Sequence, residues 1–421
     1  MNMIRYWLYN TLLLLAAPVC ALYLLLSNRN RRLLRRFWPA LPSMPDTPIW
    51  IHACSVGEIN ATRGLVQTLR HYIPDTPVLL SVSTLSAYKL AISSSMEVTT
   101  VFAPFDLLWS VRGFIKKAKP RILVIIETEL WPNLIRESNR NGIPVVIVNA
   151  RLSPKRFPRY MRYRGVLPPV YDHLRFVAAQ DDIYAERFRM LGILPEKIAV
   201  TGNMKNDAEL TEICSEERDM VRRENGFSKN DDLVIFGSTR PGDEQLAASC
   251  WRQLKNEFPS LGVIIAPRHI QRIEEALLPF MDEQISKRTA IKKGIHNWHA
   301  RIFYLDTLGE LTRFYGLSTI AVIGGSFFPG VEGHNPLESA ALGVPTVFGP
   351  YMGNFSEAAT MLLNAEGAFQ IKNPDELLPL IRTLLLDPVL RERVARKGRK
   401  AVLNSRGAVE RNKEIILRYI Q

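Results

Sequence analysis

A chain of 421 residues that is 47% hydrophobic and 23% charged can bury two ordinary cores, which excludes a disordered polymer. Its net charge of +13 would suit nucleic acid, an anionic membrane or a phosphorylated substrate. However, Arg5, Arg29, Arg31, Arg32, Arg35 and Arg36 supply six of those charges, no acidic residue precedes Asp46, and no basic stripe interleaved with aromatics follows, which argues against a nucleic-acid partner. Cys20, Cys54, Cys214 and Cys250 show neither metal-ligand spacing nor a disulfide pattern, and their sparseness fits a reducing compartment.

In chain order, Leu8 to Leu26 is an apolar run broken only by Asn10, Thr11 and Pro18, long enough to cross a bilayer, with the arginines directly behind it. A cleaved signal would carry its charges ahead of the run and a small-residue site after it. Leu24-Leu25-Leu26-Ser27-Asn28-Arg29 offers no such site, so residues 1–40 read as an uncleaved membrane anchor that either spans or lies in one leaflet. The cluster Arg29 to Arg36, with Phe37 and Trp38, is expected at headgroup level, keeping the rest of the chain cytoplasmic. A buried amphipathic helix is the competing reading, and the uniform apolarity speaks against it.

Leu41 to Pro48, with three prolines, reads as a linker, and strand-like and helix-like patterns alternate after it. Ile49–Ala53, Val78–Thr84, Val98–Ala103, Arg121–Glu127, Val145–Ala150 and Phe176–Gln180 are the strand-like runs of a first domain at 41–205. Residues 206–231 are polar and read as the crossing between domains. A second series, Leu233–Thr239, Leu261–Pro267, Arg301–Leu305, Thr319–Gly324 and Pro345–Phe348, places a second domain at 232–421, closed by terminal helices that are long enough to return toward the first. The expected fold is α/β: two Rossmann-like domains facing a cleft, with ligands beyond the carboxyl ends of the strands.

Polar residues gather at those strand ends. Trp50 to Glu58 stops an apolar strand at a Ser-Val-Gly turn and delivers one carboxylate to a helix start, with Ser55 beside it. The positive helix end is expected to keep Glu58 ionised and able to take a proton from a hydroxyl; alone, the same string reads more simply as an acid complementing the helix dipole. Glu127-Thr128-Glu129 sets two acids before Pro132, one to orient an acceptor or stabilise a cation, the other to cap a helix. Lys205 reads either as a partner for an acidic sugar or as a solvated lysine. Gly324-Gly325-Ser326 and Gly333 to Glu338 bracket a short loop, where glycine permits close backbone approach, a new helix can hold a phosphate, and Glu338 can accept ribose hydroxyls; a plain turn with a capping acid is the alternative. Ser238, Thr239 and Arg240 end one strand, and Pro267, Arg268 and His269 end the next, with Arg268 able to grip a phosphate through two bonds or to lie solvated.

Together these strings resemble the bacterial 3-deoxy-D-manno-octulosonic acid (Kdo) transferases of lipopolysaccharide assembly. The matching pieces are Trp50 to Glu58, Glu127 to Asn133, Asn149 to Ser153, Thr201 to Lys205, Gly237-Ser238-Thr239, Pro267-Arg268-His269, Asp306 to Leu311 and Gly333 to Glu338. The resemblance implies a two-Rossmann-domain glycosyltransferase of the GT-B type, with no bound metal or other cofactor, moving Kdo from CMP-Kdo to the lipid A precursor at the cytoplasmic face of the inner membrane. Its partners would be CMP-Kdo, the lipid A precursor and anionic membrane lipids. Carried over by position, it implies Glu58 as general base and Glu127 as a second functional acid. Ser238, Thr239, Pro267, Arg268, Gly309, Gly325, Ser326, Asn335 and Glu338 would hold the nucleotide sugar, Gly309 presenting backbone to cytosine. Ser55, Lys205 and Arg156 would contact sugar or acceptor. Glu332, where a second glycine is common, and Arg240-Pro241, where His-Glu is frequent, depart from the family pattern beside the nucleotide site.

Two other readings fit parts of the pattern. A UDP-sugar 2-epimerase or glucosaminyltransferase of the same architecture would prefer UDP-sugars, and a membrane-tethered adaptor with an inactive nucleotide domain would be indifferent to loss of Glu58. Arg156, with Phe157, Arg159, Tyr160, Arg162 and Arg164, reads either as a surface for lipid phosphates or as a solvated helix face.

Overall fold

A computed structural model describes residues 2–28, 30–42, 47–94, 96–154, 156–164, 170–207 and 214–420. Arg29, part of the expected linker (43–46) and part of the expected crossing (208–213) lie outside them. The chain divides into two compact units, Met1–Ala208 with Ser405–Gln421, and Glu209–Asn404.

The first unit is built on seven parallel strands: β1 Ile49–His52, β2 Val78–Val82, β3 Thr99–Phe102, β4 Ile122–Ile126, β5 Val145–Ala150, β6 Phe176–Ala179 and β7 Ile198–Val200, in the order β3-β2-β1-β4-β5-β6-β7. Because side chains alternate along a strand, the runs feed two cores, one on each face. Trp50, Leu79, Leu123, Ile125, Val145 and Ile147 fill one, while Ile49, Ile51, Leu80, Ile122, Val124 and Val146 fill the other. The second unit repeats the plan with β8 Asp232–Thr239, β9 Leu261–Pro267, β10 Ile285–Lys287, β11 Ile302–Tyr304, β12 Ile320–Ile323, β13 Thr346–Phe348 and β14 Ala368–Gln370, ordered β10-β11-β9-β8-β12-β13-β14. In each sheet the strand order reverses beside the first strand, at β1/β4 and at β8/β12. The carboxyl ends of those pairs are where such sheets take ligands.

Three features differ from the sequence reading. Strands β7, β10 and β14 lie at sheet edges and are three residues long, too short to register as apolar runs. The expected crossing carries a helix, Ser215–Glu224, whose Arg222 is buried and donates to the carbonyls of Leu317 at 2.9 Å and Lys229 at 2.8 Å, fixing it to the second unit. The helix Ala408–Arg418, expected in the second domain, belongs to the first. There its Ala408, Ile415 and Ile416 complete the core beneath the helix Val56–Tyr72, and Asp207 accepts from Gly407 N–H at 2.9 Å.

Gly324 marks how tightly the β8/β12 pair closes. A Cβ there would sit 2.7 Å from the Ser238 carbonyl oxygen and 2.8 Å from Thr239 Cα, both backbone atoms that cannot swing aside. We expect Gly324→Ala to destabilise the fold by about 1–3 kcal/mol, as overpacking of a dense interior does, visible as a lowered urea midpoint; an unchanged midpoint would show that the strand ends have slack.

Candidate active site

In the first unit the helix Val56–Tyr72 starts with Ser55 as its cap, so Glu58 falls in the first turn and folds back over the strand end. Glu58 Oε2 accepts from Cys54 N–H at 2.7 Å, Oε1 accepts from the Ser55 hydroxyl at 2.8 Å, and Ser55 Oγ accepts Glu58 N–H at 3.3 Å. The carboxylate is buried while the Ser55-Val56-Gly57 turn is exposed. Burial pushes its pKa up to about 7; the bonds from Cys54 and Ser55 pull it down, and the charges of Glu127 and Glu129 push it up again. The helix end therefore does not hold Glu58 ionised as its position suggested: burial outweighs the dipole, and the group is poised near neutrality.

Glu127, ending β4, has φ of 61°, a left-handed conformation uncommon outside glycine, and its Oε1 meets Lys205 Nζ at 2.9 Å. Two residues 78 positions apart are thus joined, on a loop that Asn149 holds by accepting Met204 N–H at 2.9 Å. Glu129 accepts from Trp131 Nε1 at 2.7 Å, and its pKa is raised, by burial first. Arg156 lies within electrostatic reach of Glu129, which it pulls back toward ionisation. Neither acid caps the helix Pro132–Arg140, as one was expected to. Asp106 does, accepting from Asn133 N–H at 2.9 Å and Leu134 N–H at 2.7 Å.

Behind Glu58, His52 Nδ1 lies 2.8 Å from Ser81 Oγ and Nε2 3.2 Å from Cys54 Sγ, which is 3.1 Å from Ser83 Oγ. Burial holds the ring neutral, with its pKa down to about 3, helped by the charge of Arg36. That arginine is turned inward rather than toward headgroups, donating to the carbonyls of Ala103 at 3.0 Å and Ser83 at 3.2 Å, and Phe37 is likewise buried while Trp38 is exposed. His52, Cys54 and Glu129 bring donor atoms within 4.8 Å of one another, the one such group among the described residues, and each is already hydrogen-bonded.

In the second unit Ser238 ends β8 with φ of 57°, and Asp243 Oδ2 accepts from both Arg240 N–H at 2.8 Å and Gly325 N–H at 2.7 Å, tying the ends of β8 and β12 together. Thr239 and Ser326 are wholly buried, their hydroxyls spent on Glu244 at 2.8 Å and on the Ile323 carbonyl at 2.6 Å, with Ser326 also accepting from Gly349 N–H at 2.9 Å. These two side chains are engaged within the loop and shape it. Pro267 is buried at the end of β9, and the exposed Arg268 that follows it donates from its guanidinium to no protein acceptor among the described residues. Arg240 Nε approaches His334 Nε2 at 3.4 Å. Burial first, then the neighbouring Arg268, Arg240 and His269, bring the His334 pKa down to about 4, so three basic side chains share one field around a neutral imidazole. Asn335 Nδ2 donates to Glu338 Oε1 at 3.2 Å and its Oδ1 accepts Leu337 N–H at 3.1 Å, opening the five-residue helix Leu337–Ala341. Gly309 takes φ of 81° in an open loop whose neighbour Glu310 is clamped by Arg288 at 2.9 Å and Lys292 at 2.8 Å. The departures noted in the sequence have structural roles: Glu332 itself adopts φ of 65°, and Arg240 joins the basic cluster.

Two parallel seven-stranded sheets, each reversing its strand order beside its first strand, are the GT-B type of double-Rossmann architecture. A glycosyltransferase from Rickettsia africae ESF-5 shares this fold, with a TM-score of 0.58 at 13% identity over 90% of this chain and 100% of that one. Residues 29–208 match the family model described as 3-deoxy-D-manno-octulosonic-acid transferase. The chain is 30% identical to the 3-deoxy-D-manno-octulosonic acid transferase of Haemophilus influenzae over 98% of both, and 32% identical to that of Chlamydophila psittaci over 91% of this chain and 88% of the other. The chain belongs to the Kdo transferase family, enzymes of lipopolysaccharide biosynthesis.

Proposed function

We propose that the protein transfers Kdo from CMP-Kdo to a hydroxyl of the lipid A precursor with inversion, at the cytoplasmic face of the inner membrane. The observation that carries this reading is Glu58: a buried carboxyl poised near neutrality, held by Cys54 N–H and Ser55 at the reversal of its sheet. The acceptor oxygen attacks the anomeric carbon as its proton passes to Glu58, and the bond from that carbon to the phosphate oxygen breaks with its electron pair leaving on CMP. Arg268, Arg240 and the neutral His334 supply charge and hydrogen-bond donors for the departing phosphate, and Asn335 with Glu338 suits ribose hydroxyls. In this reading Glu127 and Lys205 meet the carboxylated sugar or the acceptor, and no bound metal is required. The one long apolar helix among the described residues supports membrane attachment.

The test is transfer by the purified full-length protein, with CMP-Kdo generated in the reaction and a tetraacylated lipid A precursor, read by mass spectrometry of the lipid. A mass increase by Kdo units supports the reading. Binding of UDP but not CMP, with no Kdo transferred, would overturn it in favour of a UDP-sugar enzyme.

A pH prediction follows from the same carboxyl. Only ionised Glu58 accepts a proton, and its pKa is raised to about 7, so kcat/KM should climb with pH and level off above about 7. Removing a negative neighbour favours ionisation, so Glu127→Gln should move this limb to lower pH whatever it does to the maximum rate. A limb that stays in place, or moves to higher pH, would separate the profile from Glu58.

A further inference from the structure

Among the described residues the helix Asn2–Leu26 is the longest and the one apolar enough to cross a membrane. One stripe of it is not free to do so. Tyr6, Ala17 and Leu24 are buried, and Leu13, Cys20 and Ala21 pack with Phe37, Leu107 and Phe105. The spacing of three and four residues from position 6 to position 24 makes a single helix face lying along the first unit.

The polar members of that face are engaged by the unit. The Tyr9 hydroxyl donates to Asp106 Oδ2 at 2.7 Å, Asn133 Nδ2 donates to Asn10 Oδ1 at 2.8 Å, and the Arg136 guanidinium sits 3.7 Å from the centre of the Tyr6 ring. The opposite face, including Ile4, Trp7, Leu15, Val19, Leu22 and Leu26, is exposed and apolar.

From Tyr6 to Leu24 the helix runs about 27 Å at 1.5 Å per residue, close to the roughly 30 Å of a hydrocarbon core. A helix crossing the membrane would have to carry the docked face of the unit with it. That would place Asp106, Arg136 and Glu137 at hydrocarbon depth, where charged groups are expensive.

Charge is distributed for the other geometry. Arg31, Arg32 and Arg35 are exposed just beyond the helix's carboxyl end. Near the amino end, where Tyr6 approaches Glu137 at 3.4 Å, a groove of about 860 Å³ is lined by Arg112, Lys116, Lys119 and Arg140 around that same Glu137. Cations thus flank both ends of the apolar face on one folded unit, an arrangement that matches the phosphates of a single leaflet.

We infer that this helix is an in-plane anchor: its apolar face sinks into one leaflet of an anionic bilayer while its polar stripe stays on the catalytic unit. The inference deepens the membrane attachment proposed above and rests on it.

Three cysteine labels, at Ile4→Cys, Leu15→Cys and Leu26→Cys, would carry an environment-sensitive fluorophore in the full-length Cys20→Ala/Cys214→Ser protein, whose remaining Cys54 and Cys250 are buried. With vesicles containing phosphatidylglycerol, quenching by lipids brominated at shallow or deep positions should place all three at one shallow depth. An impermeant reductant added outside should bleach all of them. A deep Leu15 between shallow ends, with the label at Ile4 protected from the reductant, would overturn the in-plane geometry and leave membrane attachment standing. Failure of the folded protein to sediment with the vesicles would overturn attachment itself. Exchange of phosphatidylglycerol for phosphatidylcholine should weaken binding about 100-fold if the three exposed arginines meet lipid phosphates; equal binding would overturn the anionic partner.

Discussion

Glu58→Gln is expected to lower the transfer rate by about 10²- to 10⁴-fold, the range that a positioned general base supplies, while CMP still binds. The amide keeps the shape of the side chain and can still accept the Cys54 N–H, so the turn at Cys54 to Glu58 should persist. What disappears is the proton acceptor. The rate should therefore fall in kcat, and the rise of kcat/KM toward about pH 7 should vanish with it. Near wild-type turnover in Glu58→Gln would leave the carboxyl as a helix-capping group and return the search for a base to Glu127 and Glu129.

The second large effect belongs to the other unit. Arg268→Ala should weaken CMP binding by about 10- to 100-fold, the loss of about 1.5–3 kcal/mol that a hydrogen bond to a charged group provides. Arg268→Lys should restore part of it, because the charge returns without the planar fork. The exposed guanidinium has no protein acceptor to satisfy among the described residues, so its removal should leave folding intact. The signature is a change in nucleotide affinity at constant urea midpoint, measured by calorimetric titration. Unchanged CMP affinity would leave Arg240 and His334 as the phosphate-facing groups and Arg268 as a solvated side chain.

Much of this architecture was legible because the central strands of a parallel sheet are buried on both faces and so write long apolar runs, with the candidate site residues placed where those runs stop. Glu58, Glu127 and Arg268 stand out on that rule, and Glu338 at the helix start that follows the glycine loop. The edge strands β7, β10 and β14 did not, since three residues half open to solvent leave no pattern, whereas the longer edge strand β3 did. Nor could local sequence show that Lys205 reaches Glu127, that Asp106 caps a helix beginning at Pro132, or that Arg36 turns away from its basic neighbours into the unit. Each depends on a partner brought near only by the fold. Glycine-rich strings also invite a ligand for every hydroxyl beside them. Thr239 and Ser326 carry that look, yet their hydroxyls are consumed internally.

The return of residues 408–418 to the first unit bears on how the chain comes to be folded. The unit Glu209–Asn404 is one uninterrupted stretch and can close as soon as it has been synthesised. The first unit cannot. Until Asn412 arrives to donate to Thr201 Oγ1 at 3.2 Å, and Ile415 and Ile416 cover the core beneath Val56–Tyr72, an apolar surface made early in translation stays open while some two hundred further residues emerge. During that interval the nascent chain is the species most exposed to aggregation and to chaperones. A lesion in the last helix should accordingly cut the yield of soluble protein more than it alters the activity of the molecules that do fold.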